Sequence, residues 1–155
     1  MAQQYVPEVR RGDKRILPGA RTVTGVTLYL AYLGKTNSYC GIFPGISYDG
    51  QRMEPLNDAA TWSEATLNGS NMPGGVRGGN NYDFNVANAG SATAHVNSAI
   101  TNAVSSWYQA GGWVNNGWRL SRSSAGDTCG DSNRFASRFD GNQALRPRLV
   151  ITWGP

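Results

Sequence analysis

The sequence is short of most of what catalysis needs. Its 155 residues include one histidine, His95, and two cysteines, Cys40 and Cys129. A single histidine excludes His-based metal clusters, and any Ser-His-Asp triad would have to depend on it. No local acid or nucleophile signature surrounds His95, so it reads as a structural or solvated side chain. Two thiols this far apart make no zinc motif, and they leave open either one disulfide or two buried free thiols. Charged residues are 15% of the chain, which is too sparse for a coiled coil or a long-helix protein. No apolar run approaches the roughly 18 residues of a membrane span. The glycines at 74–79 precede no GK[ST], so no phosphate-cradling loop is expected.

What remains is 39% hydrophobic and 10% aromatic residues with 20 glycines. That suffices for one buried core and excludes wholesale disorder. It describes a single turn-rich domain that is mostly β. The net charge of +4 is concentrated near the start. Arg10, Arg11, Lys14, Arg15 and Arg21 oppose only Glu8 and Asp13, so the first 21 residues carry +3 of the total. Residues 1–21, punctuated by Pro7 and Pro18-Gly19, read as an irregular basic arm, and residues 22–155 as the folded domain. The arm is expected either to lie against a partner or to fold back on the domain. A basic arm on a nearly neutral body suggests an anionic partner. The cations are mostly arginine, twelve against two lysines, which suits fixed bidentate contacts. MAQQYVPEVRRGDKR lacks the apolar segment of a secretory signal, so synthesis in a cytosol is expected.

Residues 22–33 alternate Val26, Leu28, Leu30 and Tyr32 with Thr27, Tyr29 and Ala31, the pattern of a half-buried strand. Shorter strands are expected over 39–48, 82–86, 117–122, 134–139 and 146–153. Residues 49–81 are rich in turn residues, and 73–81 reads as an exposed loop. Ile100, Ala103, Val104 and Trp107 recur at helical spacing, with Asn97 or Ser98 as the cap and Gly111-Gly112 as the stop. Many short strands, glycine-rich loops and one short helix predict an all-β, jelly-roll-like β-sandwich with an extended N-terminal arm.

A series of segments resembles one family. Thr22 to Leu33 is similar to the "TVTSATLYLY" strand of the disaggregatase-related repeat (DNRLRE) modules. Residues 60–68, ATWSEATLN, resemble their "TW-x-E-x-x-TWN" segment, and Val96 to Trp107 their short helix. Gly117-Trp118-Arg119-Leu120, Phe135-Ala136-Ser137-Arg138 and the closing Arg146 to Trp153 follow in the family's order. The resemblance covers roughly 20–153. It implies a β-sandwich that serves as a binding or structural part, found beside polysaccharide-degrading domains and also in virion proteins. This chain has few residues ahead of its "TVT" strand, where the family carries several strands. An open sheet edge covered by a neighbouring subunit is one expected consequence.

Candidate sites follow from residue type. Arg10, Arg11, Lys14, Arg15 and Arg21 are the expected partner-binding residues. Trp113, in a Gly-Gly-Trp-Val-Asn-Asn-Gly loop, is the expected exposed aromatic for sugar stacking, with Arg77 and Asn80 beside it; Trp107 and Trp153 read as core. Asp127, Asp131 and Asn133 make an oxygen-rich loop that could hold calcium, though not at EF-hand spacing. Glu54, Asp58 and Glu64 could in principle supply paired carboxylates for glycoside hydrolysis, but loop carboxylates are mostly solvated. No catalytic residue and no cofactor is assigned. The expectation is a non-enzymatic virion protein, a capsid decoration or tail component of a tailed phage, in a symmetric assembly with neighbouring subunits. The alternative is a carbohydrate-binding module acting on a surface glycan. Neither membrane nor sequence-specific nucleic-acid binding is expected.

Overall fold

Alternating side chains on a strand point to opposite faces, and residues 26–30, 50–55 and 150–154 alternate in burial around one core. The structure, a computed structural model, describes residues 2–5, 22–36, 50–63, 73–86, 88–122 and 132–155. The elements run β1 (Ala2–Tyr5), β2 (Thr22–Thr36), β3 (Gly50–Pro55), β4 (Tyr82–Asn85), β5 (Ala92–His95), α1 (Ser98–Tyr108), β6 (Trp118–Arg122), β7 (Ser132–Phe135) and β8 (Arg148–Gly154). A 3₁₀ turn at Gln143–Leu145 precedes β8.

The strands form two sheets. The first has the order β1-β8-β2-β5, with β7 added along the far part of β2; the second is β4-β3-β6. All strand pairs are antiparallel. From β2 to β8 the chain passes repeatedly between the sheets, so most connections cross from layer to layer. Val26, Leu28 and Leu30 of β2 and Ile151 and Trp153 of β8 face inward, towards Met53 of β3 and Phe84 of β4. Ile100, Ala103, Val104 and Trp107 of α1 join the same cluster. This is the expected all-β sandwich with one short helix.

The helix is explained by its ends and its apolar stripe. Asn97 is extended, and its side chain accepts a hydrogen bond from the Ala99 N–H at 2.8 Å, satisfying a donor the first turn leaves free. The chain leaves the helix at Gln109, and Gly111 takes a φ of 72°. A second positive-φ glycine, Gly34 at 112°, lies beside the register shift where β2 passes from its neighbours onto β7.

One sequence reading is corrected and a second is narrowed. Residues 50–55 form a central strand, not a turn. Their inward positions are Gln51, Met53 and Pro55, so a polar residue and a proline interrupt the apolar alternation that marks a strand. Residues 73–80 are the expected loop, exposed at Gly74, Gly78 and Gly79, but the loop is pinned rather than free. Val76 bridges Leu56, the Arg77 N–H donates to the Pro55 carbonyl at 2.9 Å, and the Asn57 N–H donates to the Gly75 carbonyl at 3.1 Å. Short β5 was also not expected, because Ala-Thr-Ala-His has little strand propensity. The segment expected to be an arm begins in the sheet: β1 pairs with β8 from Ala2↔Trp153 to Tyr5↔Val150. Residues 6–21, and the strand expected over 39–48, lie outside the described residues.

His95 is a core residue, 6% exposed. Its ring centroid lies 4.4 Å from that of Phe84, and its Nδ1 is 3.4 Å from the Tyr82 hydroxyl. Burial among these rings disfavours the imidazolium and holds the pKa below the ordinary 6.5. The unfolded chain therefore binds this proton more tightly than the folded one. The stabilisation is complete above pH 6.5 and is lost as pH falls from there towards the folded-state pKa, by up to about 1.4 kcal/mol per unit. Denaturant melts between pH 7 and pH 5 should show this slope, and His95→Gln should flatten it. An unchanged slope in the variant would place the titration elsewhere.

Candidate functional site

Three loops meet at one end of the second sheet: 56–63 after β3, 73–80, and 112–117 before β6. Backbone pairing draws them together, since the Leu56 N–H donates to the Gly117 carbonyl at 3.0 Å. Buried Asn116 then acts as a clasp. Its side-chain amide donates to the Asn57 carbonyl at 2.8 Å, and its own carbonyl accepts from the Trp62 indole N–H at 2.9 Å. Gly75 faces the Asn57 side chain so closely that a Cβ there would meet it at 2.6 Å.

The clasp positions Arg77 and Trp113. The Arg77 guanidinium carbon lies 4.4 Å from the centroid of the Trp113 ring, a cation–π contact. The same guanidinium pairs with Asp58 Oδ1, which also accepts from the Val114 N–H at 2.8 Å. Asp58 thus ties the 112–117 loop to the arginine that covers its tryptophan. Trp113 is half-buried and packs against the core cluster. Two of the expected sugar-site residues are therefore brought together, but Arg77 already occupies one face of the indole. Asn80 is not drawn in; its side-chain contact is local, to the Gly78 carbonyl at 3.4 Å.

The described carboxylates all have structural partners. On the outer face of the second sheet, Glu54 lies opposite Arg119 in the β3–β6 register and accepts from it at 2.6 Å, with the Ser121 hydroxyl at 3.4 Å. Arg52 lies opposite Asp83 and grips it through both oxygens at 2.7 and 2.8 Å. The hydrogen bonds and charge of Arg52 hold the Asp83 carboxyl below the usual carboxylate range. Asp140 Oδ1 accepts from the Asn142 N–H at 2.9 Å. Glu54 and Asp58 are each paired with an arginine of a neighbouring strand or loop.

The remaining sequence candidates divide by position. Arg10, Arg11, Lys14, Arg15, Arg21, Cys40, Glu64, Asp127, Asp131 and Cys129 lie outside the described residues. Asn133, the one described member of the calcium trio, accepts from the Tyr32 hydroxyl at 3.4 Å. Among the described residues no three His, Cys, Asp or Glu side chains form a metal-binding group, and no helix is long and apolar enough to cross a membrane. Sequence reasoning missed the Glu54–Arg119 and Arg52–Asp83 pairs, which become neighbours only once the strand register is known.

The fold and its salt-bridged surface define an all-β sandwich. No protein-family model, curated protein or solved structure matches the chain.

Proposed function

We propose that this chain is a non-enzymatic structural protein of a virus particle, a capsid decoration or tail component of a tailed phage. It docks on neighbouring subunits in a symmetric assembly, through Arg10, Arg11, Lys14, Arg15 and Arg21. The observation that carries this reading is the distribution of charge. The first 21 residues hold +3 of the net +4, while the four described carboxylates are engaged by arginines or a backbone N–H. The only histidine is enclosed by aromatic rings. A body whose described carboxylates are all engaged by its own groups, next to a segment rich in arginine, suits association better than turnover. The resemblance of residues 20–153 to the DNRLRE modules implies a binding or structural part, which suits this reading and the carbohydrate-binding alternative alike. Sugar stacking on Trp113 is the weaker reading, because Arg77 would have to leave the ring first.

Native mass spectrometry of the full chain tests the docking residues. Deleting 1–21 would remove β1, so charge reversal is the cleaner change. The wild type should populate assemblies that Arg10→Glu, Arg11→Glu, Lys14→Glu and Arg15→Glu, combined in one chain, reduce to monomer without loss of fold. Identical assembly of both proteins would remove the mechanism.

A further inference from the structure

A cavity of about 260 Å³ opens beside the 3₁₀ turn, at the other sheet from the Arg77–Trp113 stack. It is lined by Tyr29, Gln143, Ala144, Arg146, Pro147 and Arg148. Arg148 stands opposite Tyr29 in the β2–β8 register, and its guanidinium carbon lies 4.1 Å from the centroid of that ring. Arg146 donates its Nε–H to the Asp140 carbonyl at 2.8 Å. Each guanidinium is thus held in place by one contact with its own chain. Among the described residues the terminal N–H groups of both find no acceptor, and neither arginine has an ion-pair partner. The nearest acid in sequence, Asp140, directs its Oδ1 to the Asn142 N–H, and no carboxylate among the described residues lines the cavity.

Two fixed cations facing one concave space repel each other and raise its potential. An oxyanion relieves both effects, since the planar guanidinium fork matches carboxylate and phosphate oxygens two at a time. We propose that this cavity binds the carboxylate or phosphate group of a small organic molecule. The volume lies below the roughly 300–1,000 Å³ of sites for drug-sized ligands, which limits the ligand to about one sugar ring. The Gln143 amide supplies a donor and an acceptor for the ligand's polar body, and Ala144 and Pro147 supply an apolar wall. The site is independent of the docking segment, so it stands or falls apart from the assembly reading.

The test is a ¹H–¹⁵N NMR titration of the full chain with glucuronate, glucose 6-phosphate and neutral glucose. Either anion should shift the Arg146 Nε–H and Gln143 side-chain signals saturably, and glucose should not. The tighter of the two anions identifies the group as carboxylate or phosphate. Arg148→Gln and Arg146→Gln should each weaken binding about tenfold, the scale of a lost charge-assisted hydrogen bond. Arg134→Gln, on β7, should leave it unchanged. Arg148→Lys keeps the charge without the fork and should fall between, which preserves the comparison should a glutamine variant unfold. The proposal is overturned by no saturable shift with either anion, or by equal weakening in Arg134→Gln and Arg148→Gln.

Discussion

Gly112→Ala should destabilise the protein by about 3 kcal/mol. A Cβ at 112 would overlap the carbonyl oxygen of Ser106 and lie 2.9 Å from its carbon and 3.1 Å from the Gln109 carbonyl oxygen. All three are backbone atoms at the end of α1, so no side-chain rotation relieves the clash. The helix must lose its last turn, or the 112–117 loop must move and take Trp113 with it. Gly111→Ala is the control. Its φ of 72° is unfavourable for alanine, but nothing lies within 4 Å of the added carbon. The expected loss there is about 1 kcal/mol. Denaturant melts of the two variants separate overlap from backbone preference, and equal losses would contradict the account.

Trp107→Ala should cost about 3–5 kcal/mol. Trp107 is 5% exposed and lies where α1 meets the sheets, with its ring centroid 4.5 Å from that of Trp118. Truncation leaves a cavity between helix and second sheet that rigid strands cannot close. Trp107→Phe should cost far less. The buried indole N–H finds no hydrogen-bond partner among the described residues, so phenylalanine gives up area but no described bond and removes an unmet donor. A Trp107→Phe loss as large as that of Trp107→Ala would mean that the nitrogen has a partner after all. Calorimetry should register the alanine variant as a fall in Tm on the order of ten degrees.

The helix and long β2 could be read from the sequence because their signals are local. Asn97 sits three residues before a stripe at helical spacing, and Val26, Leu28 and Leu30 alternate without interruption. Strand β3 could not, because its inward Gln51 and Pro55 carry no apolar signature. Gln51 is flanked by Phe84 of β4 and Arg122 of β6, and Pro55 by Trp118 of β6 alone, neighbours that only the strand register supplies. The 73–80 loop was legible in part for a similar reason. Its glycines mark a loop, yet backbone bonds to Pro55 and Asn57 hold it against β3. Arg77 and Trp113 were both recognisable as binding types of residue. That one lies on the other, through Asp58, is a consequence of loop closure that composition cannot carry. The cavity at Arg146 and Arg148 was hidden in what reads as a closing strand.

The proposed assembly rests on the cations of residues 10–21. Sedimentation velocity of the full chain across ionic strength tests it most directly. Screening shortens from about 10 Å at 0.1 M salt to about 3 Å at 1 M, so an arginine-based contact must weaken over that range. The account predicts assemblies at low salt that dissolve to monomer as salt rises, and a charge-reversed chain that is monomeric throughout. A wild-type chain that is monomeric at every ionic strength, or an assembly indifferent to salt, would contradict it.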